Sequence, residues 1–376
     1  MERFGQLELD YLAKVIASGT LNSKTGKFTP ELEERFAKWV GAEQAVAMNS
    51  AMSVLHASVA AVGVGPGVEV ICDPVVHFGG AAVMYHNGVP VFCDINQDSW
   101  NMDPESLEAC ITEHTGAIIC TPMWGNPPDY EGILRVANKH GLPVIEDVAH
   151  GVGGAYRGKA LGTLGAIGSF SFQEAKHLTS GDGGMAVTNR PELADRMLEM
   201  RILKTTLGWN FRMTELQAGV MLAQMEKAEE IIAAHHKAGA LYREAARASP
   251  WLVPQRVGEG CVHAYHGVAF RFEGDGEGIP VERFQETMSE YGCRVSIGYK
   301  RRSAAEDPIF TEVLAYGKGC PIRCPLYRGE ARYGKGVTPV ADRTVPRMVV
   351  MPTDVYTPGK TEEYAEKIQA GLRALG

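Results

Sequence analysis

Short apolar runs alternate with amphipathic helical segments from residue 29 to residue 148, and this alternation restricts the fold more than any single residue does. "TPELEERFAKWVG" places Leu32, Phe36, Trp39 and Val40 at helical spacing. Thr29 is its expected N-cap, Pro30 its first helical position and Gly41 its stop. The strand "QAVAM" follows, then the helix "SAMSVLHASVAAVG". "VEVICDP", "PVFCDI", "GAIICTP" and "LPVIEDV" read as further strands, separated by the helical "FGGAAVMYHNG", "DPESLEAC" and "YEGILRVANKHG". Apolar runs alternating with amphipathic helices predict an α/β domain built on a mostly parallel sheet.

After Asn189 the pattern changes. Residues 191–248 are mostly helical, with one break at "TLGWNF". Two strand-like segments, "HAYHGVAFRF" and "CRVSIGY", then flank the helical "VERFQETMSEYG", and the helical "KTEEYAEKIQAGLRAL" closes the chain. The expected division places an N-terminal segment, the large α/β domain and connecting helices in residues 1–248. A smaller C-terminal α+β domain takes residues 249–376. The stretch 303–345, rich in Gly, Pro and Arg, reads as loop.

Composition narrows the partners. A net charge of −8 with no basic block argues against nucleic-acid binding through phosphates. The opening "MERFGQLELDYLAKVIASG" lacks the uninterrupted apolar core of a signal peptide. No stretch reaches the ~20 apolar residues that span a bilayer, so a cytoplasmic protein is expected. The eight cysteines are scattered, several in apolar runs, as reduced buried thiols are. Cys320 and Cys324 form the one close pair, with no second pair or nearby histidine, so no metal site is expected.

Lys176 stands between the strand-like "IGSFSF" and a glycine-rich turn in "QEAKHLTSGDGG". A lysine at such a junction is either a solvated loop residue or an amine held to attack a carbonyl. Three other features bear on the choice. Asp147 ends the strand "LPVIEDV", where open α/β sheets bind ligands, though a strand-end Asp also caps turns. In "NSAMS" a strand runs into a helix whose first N–H groups suit a phosphate, though Ser50 is also an ordinary N-cap. Phe78 opens the next strand-to-helix passage and is by itself an unremarked core candidate. Taken together they meet the needs of pyridoxal phosphate (PLP): an amine for its aldehyde, a carboxylate for its pyridine nitrogen, an anion site for its phosphate and a flat surface for its ring.

Over nearly its whole length the chain resembles the DegT/DnrJ/EryC1/StrS aminotransferases, the sugar aminotransferases of PLP fold type I. "VGVGPGVEVI" is similar to the family's "GVGPGDEVI", and "VIEDVAH" to "VIEDAAQ/H". "GSFSFQEAKHLTSGDGG" is similar to "FSF…K…TGEGG", and "GWNFRMTELQAGVMLAQ" to "G-N-Y-R-M-x-E-L-Q-A". The resemblance implies an aspartate-aminotransferase-like fold in which Lys176 holds PLP as a Schiff base and Asp147 pairs with the pyridinium. Phe78 would stack on the ring, and His150 would lie near its phenolic oxygen. Ser171, Ser50 and the backbone N–H groups of Ala51 and Met52 would bind the phosphate. Asn210 would reach that phosphate from a second subunit, which implies a homodimer with shared active sites. Met52 departs from the family, which commonly has a threonine there, so one hydroxyl contact is missing.

The implied reaction is ping-pong transamination, with L-glutamate or L-glutamine as amino donor. The expected acceptor is a keto sugar, nucleotide-linked in most of the family. A keto-cyclitol such as scyllo-inosose, or the substrate of an aminohydroxybenzoate-synthase-like enzyme, is the alternative that "SFQ" and His150 bring in. Lys300, Arg301 and Arg302 in "GYKRRS" either meet a diphosphate or carboxylate or form a solvated basic loop. A non-catalytic PLP-fold regulator would normally have lost the lysine or the aspartate, and both are present.

Overall fold

The computed structural model describes residues 2–203, 207–313 and 316–376. Helices α1 (Gln6–Ala17) and α2 (Phe28–Val40) lead into the first sheet. Its strands and helices then alternate: β1 (Gln44–Met48), α3 (Ala51–Ala61), β2 (Glu69–Cys72), α4 (Phe78–Tyr85), β3 (Val89–Phe92), α5 (Pro104–Ala109), β4 (Thr115–Cys120), α6 (Tyr130–His140) and β5 (Val144–Asp147). A hairpin, β6 (Ala155–Tyr156) and β7 (Lys159–Ala160), precedes β8 (Ile167–Ser171) and β9 (Gly184–Thr188). The sheet has seven strands in the order β1-β9-β8-β5-β4-β2-β3. The five strands from β8 to β3 run parallel, and β9 is antiparallel to both β8 and β1.

These strands are apolar on both faces because both are covered, as parallel sheets require. Along β4, Ala117 and Ile119 face α3 and α4 with Leu55, Val59 and Val83. Ile118 and Cys120 face the opposite layer, with Phe36 of α2 and Ile133 and Val136 of α6. Phe36 also meets Phe170 and Phe172 edge-on, with centroids 5.0 and 5.4 Å away.

Helices α7 (Pro191–Arg201), α8 (Glu215–Glu226) and α9 (Ala228–Ala246) follow. The second sheet is antiparallel, in the order β10 (Leu252–Pro254), β12 (Gly267–Phe272), β14 (Met348–Pro352), β13 (Ser296–Ile297). Helices α10 (Val281–Glu290) and α13 (Lys360–Leu375) pack on it with α9, burying Tyr242, Trp251, Phe284 and Ile368. A two-residue strand, β11 (Cys261–Val262), pairs with β6. Between these parts, α11 (Pro308–Thr311) and α12 (Pro339–Thr344) interrupt a long loop. That loop returns to the first sheet, with Phe310 against Phe92 at 4.9 Å.

Thr29 is not the cap of α2. The helix begins at Phe28, and Glu215 at the start of α8 takes the capping role. Its carboxylate accepts the Phe28 N–H at 2.7 Å, the Thr29 N–H at 3.0 Å and the Thr29 hydroxyl at 2.5 Å. An anion at a helix N-terminus satisfies orphan donors and opposes the helix dipole, as a side-chain cap would. Glu215 is fully buried. Glu215→Ala would strand three buried donors, and we expect it to lower stability by about 2–4 kcal/mol. Chemical denaturation of the two proteins measures this directly.

Candidate active site

Four strands of the first sheet deliver residues to one edge, at their carboxyl ends, where ligands bind in open α/β sheets. Asp147 closes β5 and is buried. Its Oδ1 accepts the Ala149 N–H at 3.2 Å. Burial pushes its pKa from 3.8 up to about 6, against that hydrogen bond and the positive charge of Lys176. Among the described residues it has no ion pair. A buried carboxylate so placed is matched to a cationic partner.

Lys176 lies in the turn between β8 and β9. That turn is held by its own backbone: Phe172 N–H to Gly183 O at 2.9 Å, Lys176 N–H to Gln173 O at 2.8 Å and Ser180 N–H to Phe172 O at 3.1 Å. Burial lowers the amine's pKa from 10.5 to about 8, with Asp147 opposing the shift. A substantial neutral fraction at physiological pH is what a nucleophilic lysine needs.

The α3 N-terminus faces the same edge. The Ser50 hydroxyl caps it, accepting the Ser53 N–H at 3.1 Å, and the first intrahelical bond runs from Val54 N–H to Ser50 O. The amides of Ala51 and Met52 lie in the first turn, whose N–H groups have no intrahelical acceptor. Both readings of Ser50 therefore hold together: it caps, and it borders an anion-binding helix end. Ser171 is buried at the end of β8, opposite Gly184 of β9. A Cβ on Gly184 would stand 2.6 Å from the backbone of Ser50 and Ala51, so only glycine lets β9 approach this helix end.

Phe78 is the first residue of α4, with its ring 6.0 Å from Tyr299. His150 is buried in a stack, 4.2 Å from His266 and 5.5 Å from Trp124. Its Nδ1 has no partner among the described residues. Burial and then the Lys176 charge hold its pKa well below 6.5, so it is neutral. A Cβ on Gly125 would meet the His150 carbonyl at 2.6 Å, which explains a glycine at φ +94° after Trp124.

Asn210 is exposed, with φ +60°. It does not cap α8: Thr214 does, accepting the Gln217 N–H at 3.3 Å. The neighbouring Phe211 carbonyl accepts the Asn49 N–H at 2.9 Å, so this segment runs beside the α3 N-terminus. Thr206, at the start of the predicted helix break, lies outside the described residues. In the basic loop, Lys300 pairs with Asp307 at 2.7 Å and Arg301 donates to Gln285 at 3.2 Å.

Several residues join the site without having been anticipated. A cavity of about 810 Å³ opens on Lys176 and is walled by Trp124, His266, His235, Arg3 and Arg294. Tyr299 adjoins the Trp124 and His150 rings, with centroids 6.0 and 6.5 Å away. Trp124 follows a strand end with φ +58°, an uncommon conformation for a bulky residue. Its position after "GAIICTP" was the one local signal.

The residue set fits PLP on this structure's own features. A buried carboxylate without an ion pair, a half-buried lysine of lowered pKa, a helix end with unpaired first-turn amides and an aromatic side chain converge on one edge of the sheet. A model of the DegT/DnrJ/EryC1/StrS aminotransferase family matches residues 3–322. GDP-perosamine synthase of Caulobacter vibrioides is 38% identical over 250 residues, covering 63% of this chain and 66% of that protein. Spore coat polysaccharide biosynthesis protein SpsC of Bacillus subtilis is 31% identical over 353 residues, covering 86% and 90%. The X-ray structure of the aminotransferase from Psychrobacter cryohalolentis has a TM-score of 0.85 at 26% identity, covering 99% of this chain and 98% of that one. With a large mostly parallel sheet, a convergent lysine and aspartate, and a family match over most of its length, this chain belongs to the DegT/DnrJ/EryC1/StrS aminotransferase family.

Proposed function

We propose that this protein is a PLP-dependent aminotransferase that moves an amino group from L-glutamate or L-glutamine to a keto sugar, probed first in nucleotide-linked form. The approach of Lys176, which opens on the cavity, to the buried Asp147, each acting on the other's charge, carries the reading. The sugar-directed relatives, one named a GDP-perosamine synthase, support the acceptor class. When bound, PLP supplies an electron sink for the bond broken at the amino acid's Cα.

The chain's own residues then have distinct tasks. Lys176 would hold the cofactor and, once released, carry the proton at its Nζ. Asp147 would keep the ring nitrogen protonated, and Phe78 would offer the ring a flat face. Ser50, Ser171 and the Ala51 and Met52 amides would receive the phosphate, and neutral His150 would face the phenolic oxygen. Asn210, exposed on the surface, would serve a partner copy's phosphate in a homodimer. We also propose the division into domains at residues 248 and 249, and a cytoplasmic location. In support of the latter, no helix among the described residues is long and apolar enough to cross a membrane.

The test separates the half-reactions. PLP-loaded protein is mixed with L-glutamate or L-glutamine, and the visible absorbance of the cofactor is followed as it converts to its amine form. The isolated amine form is then offered nucleotide-linked keto sugars, free keto sugars and keto-cyclitols. We expect one donor to convert the cofactor fully without an acceptor, and a keto sugar to restore the original spectrum. Restoration by keto-cyclitols alone would move the acceptor to that class, and no conversion by either donor would overturn the donor assignment.

A further inference from the structure

Two carboxylates line the cavity that opens on Lys176, and both already have partners: Asp354 lies 3.5 Å from Lys360, and Glu363 pairs with Lys367. Arg3 lines the same cavity but is answered from outside its wall, by Glu174. Their ion pair closes at 3.1 Å, and the guanidinium also donates to the Glu174 carbonyl. Glu174 stands two residues before Lys176. The Arg3 Nε is buried with no acceptor among the described residues, so the guanidinium's donors are not saturated.

The segment before α1 fixes Arg3 at its backbone. The Arg3 carbonyl accepts from the Gln224 Nε2 at 2.8 Å and from the Lys227 Nζ at 3.0 Å. The guanidinium lies over the ring of Tyr356, 5.0 Å from its centroid. Tyr356 lines the cavity too, and its hydroxyl donates to the His177 carbonyl at 2.9 Å. Arg3 is thus tied to the chain on both sides of Lys176, directly through Glu174 and by way of Tyr356 to His177. A planar guanidinium stacked on an aromatic ring presents a fork that matches a carboxylate. The Glu174 side chain is 55% exposed and that of Arg3 27%, and an ion pair so open to water contributes little. A carboxylate entering the cavity can therefore take Glu174's place at small cost.

We propose that Arg3 is a specificity-determining residue that binds a carboxylate of the amino donor, and that Glu174 is a built-in competitor for the same guanidinium. Before the donor enters, Glu174 occupies Arg3; the donor's α-carboxylate displaces it and holds Cα beside the Lys176 turn. Position favours the donor over the acceptor. The α-carboxylate is bonded to the carbon that carries the reacting amine, so its cation must stand next to the turn that bears Lys176. A diphosphate would lie beyond the sugar ring, farther from that turn. The assignment to the donor rests on the transamination proposed above, whereas the competition between Glu174 and a carboxylate for Arg3 does not.

The experiment measures, by calorimetry, the binding of glutarate to PLP-loaded protein; glutarate is a dicarboxylate with no amino group to react. Arg3→Gln should weaken binding about tenfold or more, the loss expected when a charged hydrogen-bond partner is removed. Glu174→Gln should act in the opposite sense and strengthen it about two- to fivefold, as release from an exposed ion pair allows. Added to Arg3→Gln, it should change nothing further. A merely structural contact would make both substitutions act in the same direction. That result, or unchanged affinity in Arg3→Gln, overturns the proposal. Arg3→Lys keeps the charge without the fork and should bind with intermediate affinity, which keeps the site testable if Arg3→Gln folds poorly. In the half-reactions, Arg3→Gln should raise the half-saturating concentration of L-glutamate or L-glutamine more than it lowers the limiting rate, and leave that of the keto sugar in place. A loss confined to the keto sugar would give Arg3 to the acceptor and overturn the donor assignment. Protein that took up no PLP would overturn the proposed function, while the opposed effects of Arg3→Gln and Glu174→Gln on glutarate binding would still be read.

Discussion

Lys176→Ala is expected to stay folded while losing all borohydride-reducible attachment of PLP and all turnover above background. The fold should persist because the turn around Lys176 is tied by backbone bonds at Phe172, Gln173, Ser180 and Gly183, none of which uses the amine. Chemistry should vanish because no other lysine amine stands at the convergence of Asp147, Phe78 and the α3 N-terminus among the described residues. The wild-type amine also sets a pH dependence. Its pKa is depressed to about 8, so its neutral, nucleophilic fraction rises with pH and saturates just above that value. The rate of PLP attachment should plateau there, where an ordinary lysine would keep gaining to its usual value of 10.5. Peptide mapping after reduction checks the site. A label on another lysine, or reducible attachment in Lys176→Ala, would refute the assignment.

Asp147→Asn should bind the cofactor yet lose on the order of 10²–10⁴ in rate, the range for removing an acid–base component. Asparagine still accepts the Ala149 N–H but carries no charge to keep the pyridine nitrogen protonated. The same substitution should affect cofactor-free stability in the opposite sense. The folded pKa of Asp147 lies near 6, above its ordinary 3.8, so the folded chain binds the extra proton between those values. Wild-type stability from this group is therefore present at low pH and lost as pH rises through about 6. The asparagine variant escapes that loss and should gain on the wild type from pH 5 to pH 8 in parallel denaturation curves. Near-normal turnover, with no relative gain in stability at high pH, would place the pyridinium partner elsewhere.

Much of the architecture was legible because its causes are local. The alternation of apolar runs with helical periodicity marks every parallel strand, and "QAVAM" and "KTEEYAEKIQAGLRAL" coincide with β1 and α13 end to end. Asp147 was readable as a strand end because Val144–Asp147 is a buried apolar run closed by an acid. Ser50 was readable as a cap because the helix that follows it needs one. Thr29 was misread for the complementary reason. The donors at the start of α2 go to Glu215, 186 residues from Thr29, and local cap preference cannot weigh a carboxylate from so far along the chain.

Local chemistry in the sequence settled the strand and helix pattern, the apolar faces and the junctions that carry Lys176, Asp147, Ser50 and Phe78. Periodicity and capping act within a few residues, so a single stretch of chain contains their causes. Only the tertiary structure brought Trp124, Tyr299 and His266 around His150, and gave Lys176 its lowered pKa and Asp147 its raised one. Burial drives both shifts, and burial at this edge depends on strands whose spatial order, β8-β5-β4-β2, differs from their order along the chain. Removal from water requires neighbours from several elements at once, and no local pattern encodes that.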